Sequence, residues 1–242
     1  MNTFAERLSA VHDQIAAAAA RSGRLPSDIA LVAVSKTHPP DAVREALEAG
    51  QTLFGESRVQ EARAKIPEIS SRARWHFIGH LQKNKIRHAL PLFDMLHSVD
   101  SAEIATDIDR IAGEGGVHPR VLLEVNVAGE GSKFGFSPMK LREQMEALLG
   151  LERLQIEGLM TIPPLAADAE HSRKYFVVLR ELRDELERDF RLALPQLSMG
   201  MSGDYTVAVE EGATLVRVGT ALFGRRSGKT WQPSGAGLEG EG

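Results

Sequence analysis

The sequence contains no cysteine, so neither disulfides nor thiolate metal clusters contribute to its fold or its chemistry. That composition fits a reducing, cytoplasmic setting. An excess of positive charge is also missing: the formal net charge is −4, which gives no global attraction for nucleic acid and leaves only local basic runs such as KNKIRH. Long apolar runs are absent as well. Near the N-terminus Glu6 and Asp13 interrupt the apolar residues, and the only unbroken small-apolar stretch there is Ala16 to Ala20, so neither a secretion signal nor a membrane span is expected. No low-complexity block or internal linker divides the core of the chain.

What is present is a rhythm. Phe4, Leu8, Val11 and Ile15 fall at helical spacing and predict an amphipathic helix ending near Gly23. Short apolar runs then recur at Ile29–Ser35, Thr52–Gly55, Trp75–Ile78, Met95–Val99, Val121–Val127, Ile156–Ile162, Leu197–Met201 and Leu215–Phe223, which makes eight candidate strands. Segments rich in Ala, Leu, Glu and Arg lie between them and read as helices. Such alternation calls for parallel strands joined by right-handed crossovers. It predicts an α/β fold, a (β/α)₈ TIM barrel, with a doubly wound open sheet as the rival. Residues 1–226 are read as one barrel with an N-terminal helix, and residues 227–242, polar and Gly-rich, as a flexible tail.

Three clusters attract chemistry. In LVAVSKTHPP the strand alternation puts Lys36 on the face of Val32 and Val34. Two readings fit: a strand-end lysine that snorkels to solvent, or an amine at the C-terminal mouth of a barrel, where catalytic and binding groups collect and where partial desolvation favours imine formation. In LSMGMSGD and LVRVGTALFG, small residues end the last two strands, where backbone N–H groups of this barrel type cradle phosphates. Ser202, Gly219 and Thr220 are the candidates there, against a plainer role in capping and close packing. Arg217 in the last strand needs an acceptor or an anion if it is buried, and is otherwise a surface ion pair. The third cluster is WHFIGHLQKNKIRHAL. His80 and Asn84 on its mouth loop, with Met199 in the seventh strand, are further candidate pocket residues. His76 and His80 are four apart but read as strand and loop without nearby carboxylates, so no metal site is expected.

The segments AVSKTH, LFGESRVQEA, WHFIGHLQKNKIR, EVNVAGEGSKFGF, GLMTIPP, LSMGMSGDY and VRVGTALFG, in this order, resemble the pyridoxal phosphate homeostasis family, which is related to the N-terminal barrel of alanine racemase. The resemblance covers about residues 5 to 224. It implies a fold-type III barrel that holds pyridoxal 5′-phosphate as a covalent Schiff base on Lys36, with the phosphate near Ser202, Gly219 and Thr220, and Arg217 facing the pyridine nitrogen. An arginine there donates without releasing its proton, which leaves the ring a weak electron sink. Ser57 departs from the asparagine that many family members carry.

The racemases of this barrel type use a lysine and a tyrosine, the latter brought by a separate β domain. The barrel motifs here run nearly to the end of the sequence, and only two tyrosines are present. The expectation is therefore a non-enzymatic protein that binds pyridoxal 5′-phosphate and serves vitamin B6 homeostasis, with an amino-acid racemase as the alternative. The partners implied are the cofactor and pyridoxal-phosphate-dependent apo-enzymes as recipients, with no nucleic acid and no membrane, in a monomer or weak dimer.

Overall fold

The protein is described by a computed structural model covering residues 3–130, 134–164, 166–224 and 231. Chain order is α1 (Phe4–Arg21), β1 (Ala30–Val34), α2 (Pro40–Glu48), β2 (Leu53–Glu56), α3 (Val59–Lys65), β3 (Arg74–Phe77), α4 (Ile86–Ala89), β4 (Met95–Val99) and α5 (Ala102–Gly115). It continues with β5 (Arg120–Glu124), α6 (Pro138–Leu149), β6 (Gln155–Met160), α7 (Glu170–Phe190), β7 (Gln196–Ser198), α8 (Tyr205–Glu210), β8 (Leu215–Val218) and α9 (Thr220–Phe223). The strands are all parallel and close in sequence order, β1 pairing with β8 through Ala30↔Leu215 and Val32↔Arg217. This is the (β/α)₈ barrel the alternation predicts.

Strand parity divides the interior in two. Outward positions such as Ala33, Phe54, Trp75, Leu96 and Leu123 pack under the helices in one large core, while Val32, Leu53, Met95, Leu122, Met160 and Leu215 point inward and form a separate apolar plug. Other inward positions are polar, at His76, His97, Ser198 and Arg217, all buried. These polar positions run through the barrel, from Arg217 at the C-terminal mouth to His76, which lies beside Leu53, Met95 and Leu215 of the plug at the other end.

Helix α1 starts with a reciprocal capping box, Glu6 N–H donating to Thr3 Oγ1 and Thr3 N–H to Glu6 Oε2. Its apolar stripe, Phe4, Leu8, Val11, Ile15, Ala18 and Ala19, is buried against α8 and α9. Tyr205 Oη donates to Gln14 Oε1 at 2.6 Å, tying α8 to the same helix.

The sequence places several strand ends too far along. The predicted run Leu215–Phe223 is strand only to Val218; Gly219 caps α9, whose N–H groups turn back to Gly219 O. The predicted run Leu197–Met201 ends at Ser198, because Gly200 adopts φ +90°. The tail lies outside the described residues except Trp231, whose N–H donates to Thr37 O at 3.0 Å.

Candidate functional site

A cavity of about 420 Å³ opens at the C-terminal ends of the strands. Val34, Ile78, Ile162 and Met201 supply apolar wall, and Lys36, Ser202, Arg217, Gly219 and Thr220 supply the polar groups. The five residues expected to bind a cofactor therefore line one cavity, although they come from both ends of the sequence. Closure of β1 on β8 brings them together.

Lys36 stands two residues beyond β1, in a turn closed by His38 N–H donating to Ser35 O at 3.1 Å. Thr37 in this turn has φ +68°. Across the cavity, the N–H groups of Gly219 and Ala221 converge on Ser202 Oγ at 3.2 and 3.4 Å, while Asp204 Oδ1 accepts from Met201 N–H at 2.7 Å and fixes the preceding turn. A Cβ placed on Gly203 would meet nothing within 4 Å, so the cradle is open on that side. Converging amides, a hydroxyl and an open glycine suit an oxyanion such as phosphate. A primary amine and an anion cradle sharing one cavity fit a molecule that carries both an aldehyde and a phosphate.

Arg217 forms the floor. It donates through Nη2 to Thr161 O at 2.9 Å and through Nη1 to Ser198 Oγ. Burial lowers its pKa to about 10, partly offset by Glu124 and Asp204, so it remains a cation at neutral pH. Because arginine only donates, the Ser198 hydroxyl accepts from it and donates its own hydrogen bond to His97 Nδ1 at 2.9 Å; His97 then donates through Nε2 to His76 Nδ1, also at 2.9 Å. Both rings are therefore neutral Nε2–H tautomers. Burial depresses His76 to about 4 and holds His97 well below the ordinary histidine value. His76 also borders a second cavity at the opposite end of the barrel. Sequence reading found His76 and Arg217 but missed this chain; the only signal is polar residues at inward parity on four separate strands.

The remaining candidates separate. Met199 is a correction: it is fully buried in the outer core, and Met201 lines the cavity instead, because positive φ at Gly200 reverses the strand alternation. His80 and Asn84 do not line the main cavity either. His80 stacks on Phe134 at 3.7 Å, bonds Asp100 at 2.9 Å and borders a neighbouring cavity with Ser57, while Asn84 is exposed in a 3₁₀ turn. The loop between β2 and α3 comes too close to Gly79 for any side chain there, since a Cβ would lie 2.2 Å from Ser57 O. Glu124 faces the barrel interior, and its carboxyl is raised to about 7 by burial and then by Asp100, with Arg217 pulling it down.

The family model for the alanine racemase N-terminal domain matches residues 7–227. The pyridoxal phosphate homeostasis protein of Aquifex aeolicus is 46% identical over 222 residues, covering 91% of this chain and 97% of that protein. The chain belongs to the pyridoxal phosphate homeostasis protein family. The Escherichia coli member is 42% identical over 235 residues, covering 93% of this chain and 98% of its own. Among solved structures, that of PipY from Synechococcus elongatus with PLP bound superposes with a TM-score of 0.82 at 44% identity, covering 92% of this chain and 100% of PipY. Alanine racemase of Clostridium difficile shares the fold at 18% identity and a TM-score of 0.68, over 85% of this chain and 55% of the racemase. The barrel of this homeostasis family is thus the alanine racemase N-terminal fold. No helix among the described residues is long and apolar enough to cross a membrane.

Proposed function

We propose that this chain binds pyridoxal 5′-phosphate in the C-terminal cavity and serves its homeostasis without catalytic turnover. The observation that carries the reading is the convergence of Lys36 with the Ser202, Gly219 and Thr220 cradle in one cavity over Arg217. The relatives named for pyridoxal phosphate homeostasis and the PipY structure with PLP bound support it. When bound, pyridoxal 5′-phosphate supplies an aldehyde that condenses with a primary amine, releasing water, and a phosphate dianion. Lys36 is the covalent anchor in this reading. Ser202, Gly219 and Thr220 hold the phosphate through hydroxyl and amide donors, and Arg217 donates toward the ring nitrogen without giving up its proton.

The non-enzymatic part rests on proton management. Exchange at an α-carbon through two faces needs a second base opposite the lysine. Neither tyrosine lines the cavity: Tyr205 spends its hydroxyl on Gln14, and Tyr175 sits on α7 beside Lys174. Pyridoxal-phosphate-dependent apo-enzymes are the recipients in this reading, and an amino-acid racemase is the alternative. Titration of the purified chain with pyridoxal 5′-phosphate is expected to give a visible absorbance band that Lys36→Ala abolishes, with borohydride trapping the adduct on Lys36. Robust deuterium exchange at the α-carbon of D- or L-alanine would overturn the non-enzymatic reading.

A further inference from the structure

Behind β1 and β2, outside the barrel, lies a buried charge cluster that does not line the cavity. Lys65 on α3 is fully buried and uses its ammonium protons on three acceptors: Ser35 O at 3.0 Å, Glu56 Oε1 at 2.7 Å and Glu61 Oε1 at 2.9 Å. Ser35 Oγ donates to the same Glu56 oxygen at 2.7 Å, and Thr37 N–H donates to Glu61 Oε1 at 2.5 Å. Glu56 Oε2 is buried without a hydrogen-bond partner among the described residues. The Trp231 ring lies 5.2 Å from Lys65 Nζ.

These bonds bracket Lys36 on both sides. The Ser35 O to His38 N–H closure, with φ +68° at Thr37, is the signature of a type II turn with Lys36 and Thr37 at its two central positions. The second central position favours glycine. A β-branched threonine there is strained by about 1–2 kcal/mol and persists only where its surroundings impose it. The Glu61 carboxylate on the Thr37 N–H is such an imposition, because bonds to charged acceptors are the strong ones. A buried ion cluster with an unsatisfied oxygen is a weak source of stability compared with apolar packing, so its geometry calls for another explanation.

We infer that Lys65, Glu61 and Glu56 are positioning residues for Lys36: they hold the strained turn that aims its amine into the cavity, and so set how readily this chain captures an aldehyde. This rests on the reading of Lys36 as the anchor. None of the three touches the cavity, and their effect travels through the backbone of residues 35 to 37.

The test is absorbance titration with pyridoxal 5′-phosphate, alongside circular dichroism, for Glu61→Ala, Thr37→Gly and the double variant. Glu61→Ala is expected to stay folded and bind about tenfold more weakly, the usual cost of one lost charge-assisted bond. In the Thr37→Gly background, where the turn needs no imposed φ, the same change should cost less than about threefold. Hydrogen exchange of the unaltered, cofactor-free chain gives a readout that needs no variant: the Thr37 amide should be protected, and exchange at the rate of an open loop would overturn the inference. Lys36→Ala separates the failures. A band that survives Lys36→Ala removes the anchor itself; a band lost in Lys36→Ala but bound within twofold of wild type by folded Glu61→Ala removes only the positioning role.

Discussion

Two methionines two positions apart do different work. Met199 is packed in the outer core and Met201 faces the cavity. Met199→Ala should therefore lower unfolding free energy by about 2–5 kcal/mol, the usual cost of emptying a core site, with little change in cofactor affinity. Met201→Ala should do the reverse, weakening absorbance-titrated binding while thermal stability stays nearly constant. His76 carries a different signature. Its ring titrates near 4 in the folded chain and near the ordinary value of 6.5 once unfolded. Between those pH values the unfolded state binds more protons. The stabilising contribution is thus complete above pH 6.5 and is lost as pH falls toward and through 4, by about 3 kcal/mol in total. Denaturant titrations across that range should show a shallower acid loss in His76→Asn than in wild type; parallel curves would contradict the neutral buried ring. Glu56, raised to about 6 by burial, titrates with the opposite sign and is present in both proteins, so the comparison isolates the histidine.

At the scale of elements, Gly200 governs the passage from β7 to α8. It has φ +90°, and a Cβ there would lie 2.6 Å from Ala208 Cβ and 2.8 Å from Tyr205 Cα. Gly200→Ala should cost roughly 2–4 kcal/mol by combining strain with overpacking, and should also weaken cofactor binding, because Met201 and Ser202 follow directly. Denaturation midpoints and the absorbance titration check both halves. The same glycine explains where strand reading breaks down. Period-two alternation carries through β1 and correctly faces Lys36 with Val32 and Val34, but it fails across a residue whose backbone sign reverses, and nothing in LSMGMSGD marks that reversal. Helices were legible by the same physics: α1 begins at the first apolar residue after its Thr3 cap and buries the predicted stripe Phe4, Leu8, Val11 and Ile15.

For the whole molecule, the barrel was legible because eight βα units admit few topologies, and closure then places strand-end residues around one mouth. Lys36, Ser202, Arg217, Gly219 and Thr220 followed from that placement together with the family motifs. The Arg217–Ser198–His97–His76 chain did not, since it joins residues from four separate strands, and of the Lys65 cluster only the i,i+4 pair Glu61 and Lys65 on α3 is a local pattern, while Glu56 and Ser35 come from other elements. Their partners are set by register: His76 pairs with Met95 two residues before His97, and Ser198 with Leu215 two before Arg217.

The seam between β1 and β8 joins the first and last strands of the barrel, Ala30 with Leu215 and Ala33 with Val218. Lys36 leaves the ribosome early and its cradle late. A nascent chain therefore offers no complete pocket until β8 has emerged and docked, and long-range closures of this kind come slowly. Pyridoxal 5′-phosphate in this reading can stabilise only finished barrels. Its availability would tune how long a completed molecule survives in the cell, not how fast it is made.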